Sequence, residues 1–202
     1  MKLIWNGHSC FTIETDGGTV VIDPYRDGSV PGHDPLALTA DAVFCSHEHG
    51  DHNARENVAL TGNECAINVE KINTFHDNKK GHMRGENIIH IFSAEGMRVA
   101  HMGDLGCDPE PLQKEQLKNL DAMLIPVGGF FTIDAKEAKA LIDELKPRVV
   151  IPMHYRTPGH GFNVIGTVDK FLKLCSDVVK YEDNILELTK DTPAQTAVLK
   201  CM

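Results

Sequence analysis

Apolar positions recur along this chain in two rhythms, one belonging to strands and one to helices. The run Cys10-Phe11-Thr12-Ile13-Glu14-Thr15 alternates in part, and Thr19-Val20-Val21-Ile22-Asp23 is a short β-branched run beyond the turn signal Asp16-Gly17-Gly18. Together they predict a hairpin. Asp23-Pro24 closes its second strand, a Gly/Pro-rich loop covers 27–35, and Ala42-Val43-Phe44-Cys45 then delivers the chain to His47. Further strands are expected at 72–75, 88–92, 97–100, 122–125 and 149–153.

Helical spacing appears later. Asp134-x-x-Glu137 resembles a capping box, and Ala138, Leu141, Ile142 and Leu145 follow on one face until Pro147. A second helix is expected over 111–119. A third should run over 167–175, with Val168, Phe171, Leu172 and Cys175 on one stripe. Strands come first and then alternate with helices, which suits a single α/β domain over 1–202 with helices outside its sheets. No linker, repeat or low-complexity tract interrupts it, and only the last dozen or so residues read as a loosely held tail.

Composition narrows the class. At 202 residues, 42% hydrophobic and 24% charged, the chain is long enough for a real core and close to the globular average. Its net charge of -9 offers no general attraction to a polyanion. Nucleic acid is therefore a disfavoured partner, and a small molecule is the expected one. The longest apolar runs fall well short of the ~20 residues of a membrane span, and the N-terminus turns polar before a secretory segment develops. The six cysteines are scattered without a CxxC pair. They read as reduced thiols of a cytoplasmic protein, with Cys10 and Cys45 filling core positions. Composition leaves the oligomeric state open.

Histidine stands out. Of eleven, three fall in Ser46-His47-Glu48-His49-Gly50-Asp51-His52, together with two carboxylates in the same short segment. Residues two apart in extended backbone point the same way, so His47 and His49 can grip one cation. Gly50 lets the chain bend, and Asp51 and His52 would then face the same cavity, where a second ion fits. Any one of these histidines alone would suit a solvated turn; HxHxDH at a strand end does not. Further ligands are expected where other strands terminate, at His76, Asp104 and His154.

These motifs resemble those of the metallo-β-lactamase superfamily, and in order: Asp23, His47-x-His49-x-Asp51-His52, His76, Asp104 and His154. The likeness spans almost the whole chain. It is strongest to a group of small stand-alone zinc-dependent hydrolases, through Gly7-His8-Ser9-Cys10-Phe11, Arg84-Gly85-Glu86-Asn87, His101-Met102-Gly103-Asp104-Leu105-Gly106, Pro126-Val127-Gly128-Gly129 and Ile151-Pro152-Met153-His154-Tyr155. The resemblance implies a four-layer αββα sandwich with metals at one edge. It also implies that His47, His49 and His76 hold one metal, that Asp51, His52 and His154 hold a second, and that Asp104 bridges them. The segment after His76 is poorer in Gly and Thr than the usual motif, and His82 and His90 lie nearby. His76 is preferred because His82 falls in a polar loop and His90 in mid-strand. Asp23 is assigned to receive the other N–H of a ligating imidazole.

Two such ions would lower the pKa of a shared water from 15.7 to roughly 7, supplying a hydroxide to attack an ester, lactone, amide or phosphodiester bond. Asp51 would orient it and shuttle a proton, while His8 and Tyr155 are candidates for stabilising substrate or leaving group. Zinc suits five imidazoles and two carboxylates, with manganese, iron, nickel and cobalt also compatible. His49 stands where the redox di-iron branch carries Glu. The alternatives are a metal-dependent nuclease, for which Lys79, Lys80 and Arg84 are the only basic cluster near the motifs, and a non-catalytic metal-binding protein. Specificity is expected to lie in the loops 27–35, 78–85 and 156–163, with Gly128-Gly129-Phe130-Phe131 either an apolar wall or core.

Overall fold

The computed structural model describes residues 1–201. Its strands in chain order are β1 (Lys2–Gly7), β2 (Cys10–Thr15), β3 (Gly18–Ile22), β4 (Leu38–Ala40), β5 (Ala42–Phe44), β6 (Val58–Leu60) and β7 (Asn68–Phe75). They continue with β8 (Glu86–Ala94), β9 (Met97–His101), β10 (Ala122–Pro126), β11 (Val149–Met153), β12 (Val178–Lys180), β13 (Ile185–Glu187) and β14 (Gln195–Val198). Helices are α1 (Pro111–Gln116), α2 (Ala135–Leu145) and α3 (Asp169–Leu172). One sheet has the order β13-β1-β2-β3-β5, a second β12-β14-β11-β10-β9-β8-β7, and β4 pairs with β6.

The expected hairpin forms as β2 and β3, with Phe11 opposite Ile22 and Ile13 opposite Val20. Strand alternation then divides its side chains. Phe11, Ile13, Val20 and Ile22 join a core shared with Ile89, Ile91, Val99 and Leu124 of the second sheet. Cys10 and Val21 point the other way and pack with Tyr25, Val30, Ala40 and Val58. The outer face of the first sheet is thus covered by the loop after β3 and the β4–β6 ribbon. Helix covers the second sheet: α2 buries Ala138, Leu141 and Leu145, and its capping box forms as read, Asp134 accepting the Lys136 and Glu137 N–H groups. The two face-to-face sheets of the expected four-layer αββα sandwich are present and α-helix covers the second, but the layer over the first is the loop after β3 with the β4–β6 ribbon where helix was expected.

Two expectations need correction. Helix over 167–175 is regular only at Asp169–Leu172, although Val168, Phe171, Leu172 and Cys175 do pack against the core. The C-terminal segment is not a loose tail. β14 lies between β11 and β12, parallel to both, with Ala197 and Leu199 buried. Its four residues Gln195-Thr196-Ala197-Val198 are too few and too polar to read as a core strand, and their burial comes from the strands on either side. Among the described residues no helix is long and apolar enough to cross a membrane.

Within the first sheet β1, β3 and β5 run in one direction, within the second β7, β9 and β11 do, and the contacts among the residues after them bring all six ends to one edge. The residues that follow those six strands meet there.

Candidate metal centre

Each strand end contributes one donor or one short run. His8 follows β1, Asp23 follows β3, the 46–52 segment follows β5, His76 follows β7, Asp104 lies just beyond β9, and His154 follows β11. Three of these residues hold left-handed backbone, with φ of 51° at His8, 53° at Asp23 and 51° at His154. Such a conformation costs about 1–3 kcal/mol at a non-glycine residue. It turns each side chain sharply out of its strand and into the cluster.

The donors gather in overlapping groups, the atoms within each lying within 4.8 Å of one another: His47, His49 and His76; His8, Asp51, His52 and His154; and His47, His52 and Asp104. Asp104 stands between the first two. Its Oδ2 lies 3.3 Å from His52 Nε2, 3.2 Å from His76 Nε2 and 3.2 Å from His154 Nε2. The first group is the triad expected for one ion. The second is the expected Asp51, His52 and His154 with His8 added, its Nε2 3.4 Å from Asp51 Oδ2.

Hydrogen bonding behind the cluster sets which ring nitrogens are free. Asp23 is fully buried and takes the Ser46 amide at 2.6 Å, the Ser46 hydroxyl at 2.6 Å and His52 Nδ1 at 2.8 Å. A carboxylate only accepts, so Ser46 gives it the hydroxyl proton and must accept from His47 Nδ1, 2.9 Å away. The Nδ1 of both His47 and His52 is thereby engaged, and each Nε2 is aimed forward. Among the described residues His47 Nε2, His52 Nε2, His154 Nε2 and Asp104 Oδ1 are buried without a hydrogen-bond partner. Buried polar atoms are rarely left so. Lone pairs and carboxylate oxygens converging on a common space are what a multivalent cation would satisfy, and the donor set fits one.

The electrostatics agree. Burial opposes the charge on Asp23, Asp51 and Asp104, yet the surrounding imidazoles, His52 foremost for Asp23 and Asp51 and His154 for Asp104, hold all three below the usual carboxylate range. Burial likewise opposes a cation on His52, but Asp104, Asp23 and Asp51 outweigh it and push His52 well up. Burial and His52 bring His47 down to about 3, while burial and His154 bring His8 down to about 4. Three ionised carboxylates, lying beside neutral His47 and His8 and drawing a proton onto His52, form a site that attracts positive charge.

A cavity of about 300 Å³ opens over the cluster. His49, Asp51, His76 and Asp104 form its floor, and Arg84, Phe131 and Phe162 its wall. Phe131 is therefore wall, whereas Phe130 is largely exposed. Of the loops expected to set specificity, 78–85 and 156–163 reach this cavity through Arg84 and Phe162. Loop 27–35 lies behind them, Pro31 accepting the Gly161 amide at 2.8 Å.

Not every candidate joins. Tyr155 is buried in the main core, its ring 5.4 Å from Trp5, and it lines no part of this cavity; the expected role at the substrate is corrected to packing. His90 is buried between Phe44 and Phe92, and His82 is exposed on its loop. Neither falls in a donor group with His47 and His49. Sequence reasoning missed three supports. Ser46 couples Asp23 to His47. Asn87, fully buried, takes the Asp104 amide at 2.9 Å and gives hydrogen bonds to Thr74 and the Met102 carbonyl. His101 bonds the Ser9 carbonyl at 2.8 Å and takes the Gly103 amide at 3.2 Å. The signals were adjacency to His47 for Ser46 and membership of Arg84-Gly85-Glu86-Asn87 for Asn87.

With this geometry in place, comparison with known proteins is informative. Residues 2–154 match the family model of the beta-lactamase superfamily domain. A solved structure from Thermotoga maritima, described as a candidate Zn-dependent hydrolase of the metallo-beta-lactamase superfamily, superposes with a TM-score of 0.79 at 35% identity. The match covers 100% of this chain and 99% of that one. The UPF0173 metal-dependent hydrolase of Methanopyrus kandleri (strain AV19) is 30% identical, over 78% of this chain and 85% of its own length. A UPF0173 protein of Pyrococcus abyssi (strain GE5 / Orsay) is 28% identical over 80% and 86%. A match across three quarters of the sequence, on a frame that delivers donors from six strand ends to one edge, places the chain in the beta-lactamase superfamily as one of its metal-dependent hydrolases.

Proposed function

We propose that the cluster is a dinuclear metal centre that hydrolyses an ester, lactone, amide or phosphodiester bond of a small molecule. His47, His49 and His76 would hold one ion, Asp51, His52 and His154 the other, with Asp104 shared. The observation that carries this reading is the convergence of three imidazole Nε2 atoms at 3.2–3.3 Å on the single oxygen Asp104 Oδ2. Zinc is the ion best suited to this donor set. When bound, the ions would supply a water whose pKa falls to roughly 7 and positive charge for the anion that develops during acyl or phosphoryl transfer.

The chain supplies the rest. Asp51 reaches the cavity and would orient the water there and shuttle a proton. His8, behind it at 3.4 Å, holds that carboxylate in place. Asp23 and Ser46 engage the Nδ1 atoms of His52 and His47, so that both rings turn Nε2 toward the cluster; His47 is neutral there, and on His52 a bound cation would replace the proton that Asp104, Asp23 and Asp51 draw onto it. Phe131 and Phe162 keep bulk water from one side of the floor. A nuclease would need basic surface tracking a phosphate backbone, and Arg84 is the sole Lys or Arg lining this cavity.

Metal content by elemental analysis, followed by assays on p-nitrophenyl esters, bis(p-nitrophenyl) phosphate and lactones with added zinc or manganese, tests the proposal. Two ions per chain and activity abolished by chelator, His49→Ala or Asp104→Asn are expected. Activity that survives both substitutions would overturn it.

A further inference from the structure

We infer that Arg84 is the specificity residue of this site and that its substrate carries a carboxylate or phosphate beside the bond that is cleaved, an inference that rests on the hydrolytic reading above. Of the six arginines, Arg26, Arg55, Arg98 and Arg148 each pair with a carboxylate within 4.0 Å. Arg84 and Arg156 enter no ion pair among the described residues, and of the two only Arg84 lines the cavity. Its guanidinium lies over the Phe131 ring at 5.5 Å and gives one hydrogen bond, to the Phe130 carbonyl at 3.3 Å. A guanidinium carries five N–H donors in a planar fork. Most of this fork is unspent, and the residue lines the cavity above the metal donors.

The placement of Arg84 is built rather than incidental. The loop that carries it begins at Asp77, next to His76, and the buried Asp77 side chain takes four backbone amides of that loop. Lys79 bonds it at 2.7 Å, Gly81 at 3.1 Å, Met83 at 2.9 Å and Arg84 itself at 2.8 Å. One carboxylate thus ties the Arg84 backbone to the residue following a metal donor. Stacking on Phe131 fixes the other end, since an arginine over an aromatic face is attracted by the ring and keeps its edge free for hydrogen bonds. A planar fork held this way matches the paired oxygens of a carboxylate or phosphate. Phe131 and Phe162, 5.8 Å apart edge to face, flank the space with apolar surface. A cavity of about 300 Å³ admits a small organic acid of this kind.

The test uses the metal-loaded protein with three esters of one leaving group: p-nitrophenyl butyrate, the p-nitrophenyl monoester of glutaric acid, and the corresponding phosphonate. The wild type should prefer one or both anionic esters. The ratio of anionic to neutral kcat/KM should fall by about tenfold or more in Arg84→Ala, as expected for loss of a charged hydrogen bond, chiefly through KM. Arg84→Lys should recover part of it, and Lys79→Ala on the same loop should leave it unchanged. Which anionic ester gains more assigns carboxylate or phosphate. An unchanged ratio in Arg84→Ala overturns the inference, as does an equal loss on all three esters. If the wild type cleaves none of them, ester hydrolysis drops out of the reading above. The role of Arg84 is then decided by calorimetric titration with glutarate and methylphosphonate: tenfold weaker binding in Arg84→Ala sustains it, and equal binding overturns it.

Discussion

Asp23 Oδ2 accepts a hydrogen bond from His52 Nδ1 at 2.8 Å, and both side chains are wholly shielded from solvent. The same carboxylate takes two bonds from Ser46, so its charge reaches His47 as well. Asp23→Asn puts an amide N–H₂ where one of these donors points, so that donor meets donor. Partners of this kind, one bond removed from the metal, are worth 10–100-fold in affinity, and a loss of about that size is expected. Competition against a chromophoric zinc chelator measures it, with melting at saturating zinc as the check that the fold survives.

Gly103 offers a second, steric prediction. Its φ is 58°, and a Cβ there would collide with Asn87 Oδ1 and lie 2.6 Å from Ser46 Cβ. Both neighbours are fixed, Asn87 by its bonds to Thr74 and Met102 and Ser46 by Asp23. Gly103→Ala should therefore cost more than about 2 kcal/mol and displace Asp104. Gly28 shares a positive φ, 72°, but has open space around it, so Gly28→Ala should cost only about 1 kcal/mol. Denaturant unfolding of the two variants separates crowding from backbone strain.

What could be read from residues alone follows a physical division. The clustered residues 47, 49, 51, 52, 76, 104 and 154 were legible because few residue types suit a cation and because the segments that carry them follow apolar runs. The capping box at Asp134 was legible for the same local reason. Ser46 and Asn87 were not, since serine and asparagine suit any turn and their value here comes from partners 23 and 17 residues away, at Asp23 and Asp104. Tyr155 misled through adjacency: it follows His154 in sequence, but the left-handed turn at His154 sends the two side chains to different places, one to the cluster and one to Trp5.

The C-terminal strand escaped notice because its burial is wholly non-local, and it yields a third prediction. β14 is an interior strand of its sheet, so removing residues 191–202 would leave β11 and β12 with unpaired edges and uncover the core around Ala197 and Leu199. The truncated chain is expected to be insoluble or molten. In the intact protein, hydrogen exchange at the amides of 195–198 should be as slow as at β10 and β11. Fast exchange there, as in a frayed end, would contradict this placement.

His90 gives a prediction whose sign is set by burial. It sits in β8 among Phe44 and Phe92, with Lys71 and His101 as its cross-strand partners and Asp23 as the nearest opposing charge in its field. Burial brings it from 6.5 down to about 4. The folded state thus binds the proton less readily than the unfolded chain, so the stability that neutral His90 confers is complete above pH 6.5 and drains away as pH falls toward 4. At pH 5 the loss is about 2 kcal/mol relative to pH 8. Its Nδ1 has no hydrogen-bond partner among the described residues, so an apolar replacement forfeits little at neutral pH. His90→Leu should therefore match the wild type at pH 8 and exceed it by about 2 kcal/mol at pH 5 in urea unfolding. Parallel stability curves for the two proteins across this range would show that His90 does not titrate with folding.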